Sequence, residues 1–403
     1  MDQQKKILIA LSLILLVIGV ATWYRIYRDV PQPQWIVADQ RDDFLYGSVA
    51  DSTAGMPYWI WLVLPRMFKE YLPGPGGYAS LGLSWEEGNE MPVGFSKKTT
   101  GYVRVAGNCA LCHAASYRKE PDEAPEVVAV VGALPGHAVN VRRLLTFFAK
   151  CAADPRFNAD EILAEIDMAT KLSFLDRLLY RYVLVPRTKK ALLDGNVLLD
   201  SALRLHADDP HSDATFSREQ TKALGKWLKA LNPQPYPLSV EPALAADGKP
   251  VFVQHCGSCH APGGTGNRMG TVIPIAEIGT DRERPERWTR PTDGANTTMA
   301  SISGYLAAPL DGVWLRGPYL HNGSVPTIRA LLEPQSRPRT FYRGNDLIDT
   351  RNVGFVSTLP HEMGRQFLLY DTSEPGHRNS GHLYGTSLSR SEKDALLEYL
   401  KTL

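Results

Sequence analysis

Little in this chain is drawn to a polyanion. Its 403 residues carry 44 Lys and Arg against 43 Asp and Glu, a formal net charge of +1, with no long run of one sign to concentrate it. Nucleic acid is therefore not an expected partner. The signature of disorder is missing too, since 44% of the residues are hydrophobic, an ordinary figure for globular cores, and the length suffices for two domains. Cysteine is scarce: there are five, and four of them fall in two pairs of identical spacing, leaving Cys151 alone.

One long apolar run is present. Lys5 and Lys6 precede the uncharged stretch from Ile7 to Tyr24, and Arg25 and Arg28 follow it. At about 1.5 Å per residue this helix nearly crosses a bilayer's hydrocarbon core. Gly19 and Ala21 form a small-x-small site that fits a cleavable signal peptide. The run is longer than most cleavable segments, and Trp23 and Tyr24 stand where interfacial aromatics belong. A retained anchor on the periplasmic side of a bacterial inner membrane is the preferred expectation, and secretion after cleavage is the alternative. Both export the rest of the chain.

Export bears on the cysteines. "GNCALCHAAS" places Cys109, Cys112 and His113 together, and "QHCGSCHAPG" repeats the spacing with Cys256, Cys259 and His260. Exported thiol pairs can form disulfides, act as a redox dithiol or bind zinc. The trailing histidine points elsewhere. In C-x-x-C-H the two thiols add to the porphyrin vinyl groups and the next imidazole becomes an axial iron ligand, so two covalently bound haem c groups are expected. A four-cysteine zinc site has no need of His113 and His260 in the same relative place.

The surroundings of the two motifs differ. Before the second, Leu244, Gly248, Val251 and Phe252 fall at helical spacing. Before the first, "GYVRVAGNCALCH" has β-branched residues and Gly107, which suit a short extended approach. A weak internal repeat aligns Thr215–Leu231 with Ser387–Leu403, each reading as an amphipathic helix opened by a serine N-cap at Ser217 or Ser389. Each copy closes a segment opened by a CxxCH, and "NPQPYPLSVEP" after the first reads as a linker. The expected fold is mainly α: a transmembrane helix over residues 1–28, a first haem domain with an N-terminal extension over 29–235, and a second cytochrome c-like domain over 236–403, with long loops.

The motif from Ala308 to Pro334, "APLDGVWLRGPYLHNGSVPTIRALLEP", taken with both CxxCH sites and "GHLYGTSLSRSEKDALLEYLKTL", resembles the dihaem cytochromes of the bacterial cytochrome c peroxidase superfamily. The branch it looks most like is that of the rubber oxygenases, and the resemblance runs from about residue 40 onward. It also implies the roles of the sixth ligands. In the peroxidases a methionine shortly before the closing helix ligates the second iron, whereas in the rubber oxygenase branch a histidine does, which by position is His382. Met363 is the rival, and His321, His361 and His377 are further downstream histidines. The peroxidases supply a distal histidine soon after the first motif. None occurs here between Ala114 and Gly136, so the first iron is expected to be open or weakly ligated, with His137, His206 and His211 as the alternatives.

Trp59 and Trp61 read as aromatics packed on the haem domain, with a membrane or substrate surface as the sharper alternative. Trp314 and Tyr319 read as packing or electron-transfer groups, "LLTFF" (Leu144 to Phe148) as core or pocket wall, and Cys151 as a small buried hydrophobe. Two functions follow. In one the protein is an electron carrier with both irons six-coordinate, served by a periplasmic or membrane redox partner. In the other the first iron carries out O2 or peroxide chemistry on a small-molecule substrate while the second relays electrons.

Overall fold

The computed structural model describes residues 3–27, 39–47, 55–108, 110–129, 141–194, 218–261, 266–283 and 304–403. Cys109, His137, His206, His211 and Ser217 lie outside these residues, as does the side chain of Cys112. Helices dominate, joined by small antiparallel sheets of two or three strands. The chain divides into two compact units, each assembled from separate stretches.

The first unit comprises Met1–Tyr71, Glu90–Ala110 and Leu145–Gly225. Its helix Gln3–Tyr27 is long and apolar enough to cross a membrane, and fits an anchor or a signal peptide. In the globular part, helix Tyr58–Met67 packs against helix Ala159–Ala169. Asn158 starts the latter by accepting from the backbone N–H groups of Asp160 and Glu161. Strand Tyr102–Gly107 lies between Phe95–Thr100 and the short strand Met56–Pro57, with Val105 opposite both Lys97 and Met56. Val103 and Val105 favour this pleated conformation. Trp61 is buried with its ring 6.0 Å from that of Phe95. Phe147, Phe148 and Cys151 are buried as well, and burial pushes the Cys151 thiol well above its usual range.

The second unit comprises Leu72–Asn89, Leu111–Leu144 and Lys226–Leu403. At its centre helix Pro242–His255 crosses helix Arg390–Leu400. Gly248 makes the crossing close, because a Cβ there would lie 2.0 Å from the carbonyl oxygen of Ala395. One turn later Phe252 meets the ring of Tyr399 at 5.2 Å. Ser389 and Glu392 form a reciprocal capping box that starts the second helix, whose Leu396 and Leu397 enter the core. Around the crossing lie Trp314, Tyr319, Val325, Ile328 and Val353. Trp314 has Tyr117 at 5.2 Å and Tyr236 at 5.5 Å, both edge-on, and donates from Nε1 to the Gln234 carbonyl at 3.0 Å.

This unit also buries charge. Strand Ala114–Tyr117 ends at Arg118, whose guanidinium donates to Asp346 at 2.6 Å and reaches Glu362. Arg365 donates to both oxygens of Asp346, at 2.6 and 2.9 Å. Both Arg118 and Asp346 have fully buried side chains. Burial alone would raise the Asp346 carboxyl, but its bonds to Arg365 and Arg118 hold it below the ordinary value.

Candidate haem centre

The second CxxCH begins where helix Pro242–His255 ends, and residues Gly257–His260 make one further helical turn. Cys256 caps that turn, which carries Cys259 and His260. Both cysteines are free and partly exposed, and burial pushes the Cys256 thiol up to about 11. The Nδ1 atom of His260 lies 2.7 Å from the carbonyl oxygen of Ala308. A proton on Nδ1 donated to that carbonyl leaves the lone pair of Nε2 for a metal, and fixes the ring's orientation.

His382 faces it. The two ring centres are 6.4 Å apart, with 41° between the planes. Two imidazoles sharing one metal through bonds of about 2.0–2.1 Å bring their centres to about 6 Å. Burial, then the neighbouring His260, then Arg337 drive the His382 imidazole down to about 4, so it is neutral at physiological pH. His260 is lowered as well, chiefly by burial. Neutral imidazoles are the form that binds metal. The Nδ1 of His382 is buried with no hydrogen-bond partner among the described residues. Leu383, beside His382, is exposed, as are Val272 and Leu306, which pair on the strands leading to Ala308. An apolar macrocycle would cover such a set. These residues fit a haem. Among the described residues no three His, Cys, Asp or Glu side chains converge as a metal cage.

His382 is held by its backbone. Its φ is 50°, in the left-handed region, and follows Gly381 at 84°. A Cβ on Gly381 would meet the carbonyl carbon of Gly279 at 2.4 Å, so glycine is required there. The His382 N–H donates to the Ile278 carbonyl at 2.8 Å. Arg337 acts as a staple: it donates to the carbonyls of Asn379 and Gly381 at 2.5 and 2.9 Å, and to those of Ala330 and Leu331 at 3.2 and 2.9 Å. Asn322 adds two donations to the same segment, reaching the Gly376 and Arg378 carbonyls. Ala308, Arg337 and Asn322 were not singled out from the sequence. Ala308 offers its own backbone carbonyl and the other two donate to carbonyls, and such contacts leave no spacing pattern.

The other histidines are placed differently. His321 stacks on Tyr305 at 4.4 Å, and His377 on Tyr370 at 4.5 Å. His361 is exposed in a two-residue strand paired with Arg365–Gln366. Met363 is exposed, with its Sδ 3.3 Å from Arg118.

At the first motif strand Tyr102–Gly107 leads into helix Ala110–His113, and His113 is partly buried. Asn108 anchors the approach. It donates from Nδ2 to the Leu45 carbonyl at 3.1 Å and to Ser96 Oγ at 3.0 Å, and its Oδ1 accepts from the Ala110 N–H at 2.9 Å.

Comparison with known proteins bears on the second site. Residues 304–342 match the family described as RoxA-like, cytochrome c-like. The chain therefore carries a cytochrome c-like domain of the rubber-oxygenase-like kind, which implies covalently bound haem c and points to haem-based electron transfer or oxidoreductase chemistry. The matched stretch contains Ala308, Asn322 and Arg337. Two proteins of Sinorhizobium fredii are similar. The uncharacterized protein y4iM is 32% identical over 238 residues, covering 45% of this chain and 54% of its own. The uncharacterized protein y4iJ is 46% identical over 109 residues, covering 25% of this chain and 18% of its own. The match spans about half the length of the first relative and a smaller part of the second.

Proposed function

We propose that the protein is an exported, membrane-anchored dihaem c-type cytochrome. Cys109, Cys112 and His113 hold one haem, while Cys256, Cys259, His260 and His382 hold the other. The observation that carries this reading is the facing pair of His260 and His382, 6.4 Å between ring centres. A haem bound there supplies a one-electron iron couple. The chain's own contribution is fixed coordination. Ala308 orients His260, the Ile278 carbonyl and Arg337 hold the backbone at His382, and burial keeps both imidazoles neutral. Rigid ligands on both sides suit an electron relay, because little has to move between redox states. The first motif has no histidine after His113 until His137. We place O2 or peroxide chemistry on a small-molecule substrate at that iron, with a periplasmic or membrane redox partner supplying electrons to the second. Helix Gln3–Tyr27 is the proposed anchor.

Carbon monoxide binding to the reduced holoprotein tests the division of labour. One haem of the two should bind it, and His382→Ala should open the second while both haems stay attached. Binding at neither haem in the natural protein would leave a pure electron carrier. An unchanged low-spin spectrum in His382→Ala would remove His382 from the coordination sphere.

A further inference from the structure

The first unit exposes apolar side chains where a soluble surface would be polar. Helix Phe174–Leu179 runs without a break through the wider turn Tyr180–Leu184 into helix Val185–Leu193. Tyr180, Leu184, Val185, Thr188 and Leu192 are buried and fasten this run to the unit. On the other side Phe174 is 75% exposed, Leu175 61% and Tyr182 71%, and Leu178 and Leu193 are exposed with them. At helical periodicity Phe174, Leu175, Leu178 and Tyr182 fall within a sector of about 100°.

The charge of the run is equally uneven. Between Lys171 and Leu193 there are six basic residues, and Asp176 is the single acid, in a chain whose net charge is +1. Arg177, Arg181 and Lys190 pair with Asp167, Asp160 and Asp194, and Lys189 donates to the Phe157 carbonyl. Lys171 and Arg187 are exposed and make no salt bridge among the described residues. An apolar stripe edged by lysine and arginine is the pattern of a helix lying in a lipid headgroup layer.

We propose that the run from Phe174 to Leu193 is a second membrane contact, seated on an anionic bilayer surface. It is an extension of the anchor reading above: Gln3–Tyr27 tethers the protein, and this stripe settles the first unit against the headgroups. Phe174, Leu175, Leu178 and Tyr182 enter the acyl boundary, while Lys171 and Arg187 face lipid phosphates.

The test uses the full-length holoprotein in vesicles, with an environment-sensitive fluorophore on Leu175→Cys. One preparation contains phosphatidylcholine only and another adds phosphatidylglycerol. Resistance of the protein to alkaline extraction reports the anchor, and the label reports the stripe, so the two readings fail separately. The expected result is a blue-shifted, lipid-quenchable label in anionic vesicles only. Replacing Lys171 and Arg187 by Glu should lower the ratio of docked to free label at least about tenfold. A label that stays in water in both vesicles overturns the proposal, and equal protection in neutral vesicles overturns the anionic surface. Protection that persists in detergent without lipid assigns the stripe to a protein contact instead. Should the double variant fail to accumulate, Lys171→Gln with Arg187→Gln gives the same reading.

Discussion

Replacing Gly248 by Ala should break the helix crossing that backs the second CxxCH. The added Cβ would lie 2.0 Å from the Ala395 carbonyl oxygen, 2.5 Å from its carbon and 2.9 Å from Tyr399 Cβ. An ordinary carbon–oxygen contact is about 3.3–3.5 Å, so helix Arg390–Leu400 would have to retreat by about 1.3 Å. Two of the three atoms are backbone, and no rotamer change relieves them. Overpacking of this kind costs about 1–3 kcal/mol, with the upper end expected against rigid backbone. Ala is the better helix former by about 1 kcal/mol, which offsets part of that cost. The net loss is about 2 kcal/mol, or about 4–8 °C in Tm. Gly225 is the control. It sits inside helix Arg218–Ala230 with no atom within 4 Å of an added Cβ, so Gly225→Ala should stabilise by about 1 kcal/mol. Thermal unfolding of both holoproteins, followed by circular dichroism and by the haem absorption, measures the contrast. Equal stability of Gly248→Ala and the natural protein would refute the close crossing.

Arg337→Lys keeps the charge but loses the fork that reaches four carbonyls. It should raise the high-spin fraction of the second haem in paramagnetic resonance while haem content stays unchanged, and a spectrum identical to wild type would deny Arg337 its role in positioning His382. Asp346→Asn removes the carboxylate that Arg118 and Arg365 share, leaving Arg118 with Glu362, and should cost about 3–5 kcal/mol in denaturant unfolding. Because the folded Asp346 carboxyl is held below its unfolded value of 3.8, its contribution is complete above that value. It is lost as pH falls through the lower folded pKa, so the acid-side decline in stability should be shallower in Asp346→Asn. Replacing Cys256 and Cys259 together by Ser should reduce the intact mass by one haem, and retention of two would place the second haem elsewhere.

Much of the second site was legible because its signals are local. Leu244, Gly248, Val251 and Phe252 share one helix face, and Ser389 stands as an N-cap before an apolar run. Val103 and Val105 likewise announced the strand before the first motif. The buried charge cluster left no such trace. Arg118 and Asp346 are 228 positions apart, and nothing near either distinguishes it from a surface residue. The left-handed backbone at His382 was hidden for a related reason: it depends on a close approach to Gly279, not on neighbours in the chain. The stripe from Phe174 to Tyr182 was obscured differently, since apolar residues at helical spacing usually mark core, and its exposure appears only once Tyr180 and Leu184 are seen to take the buried side.

The crossing of helix Pro242–His255 with helix Arg390–Leu400 also sets a timetable for maturation. On the export proposed above, the Cys256–His260 turn emerges well before the helix that crosses its carrier, Pro242–His255. The core around Phe252 and Leu396 cannot close in that interval, because its two halves are distant in sequence. Under that proposal the thiols of Cys256 and Cys259 would stand open both to the machinery that attaches haem and to any periplasmic oxidant that would join them to each other. Which product forms becomes a race against the arrival of Leu396. Slowing export between the two helices lengthens the period in which both reactions compete, and a stronger oxidant shifts the outcome toward a haem-free disulfide.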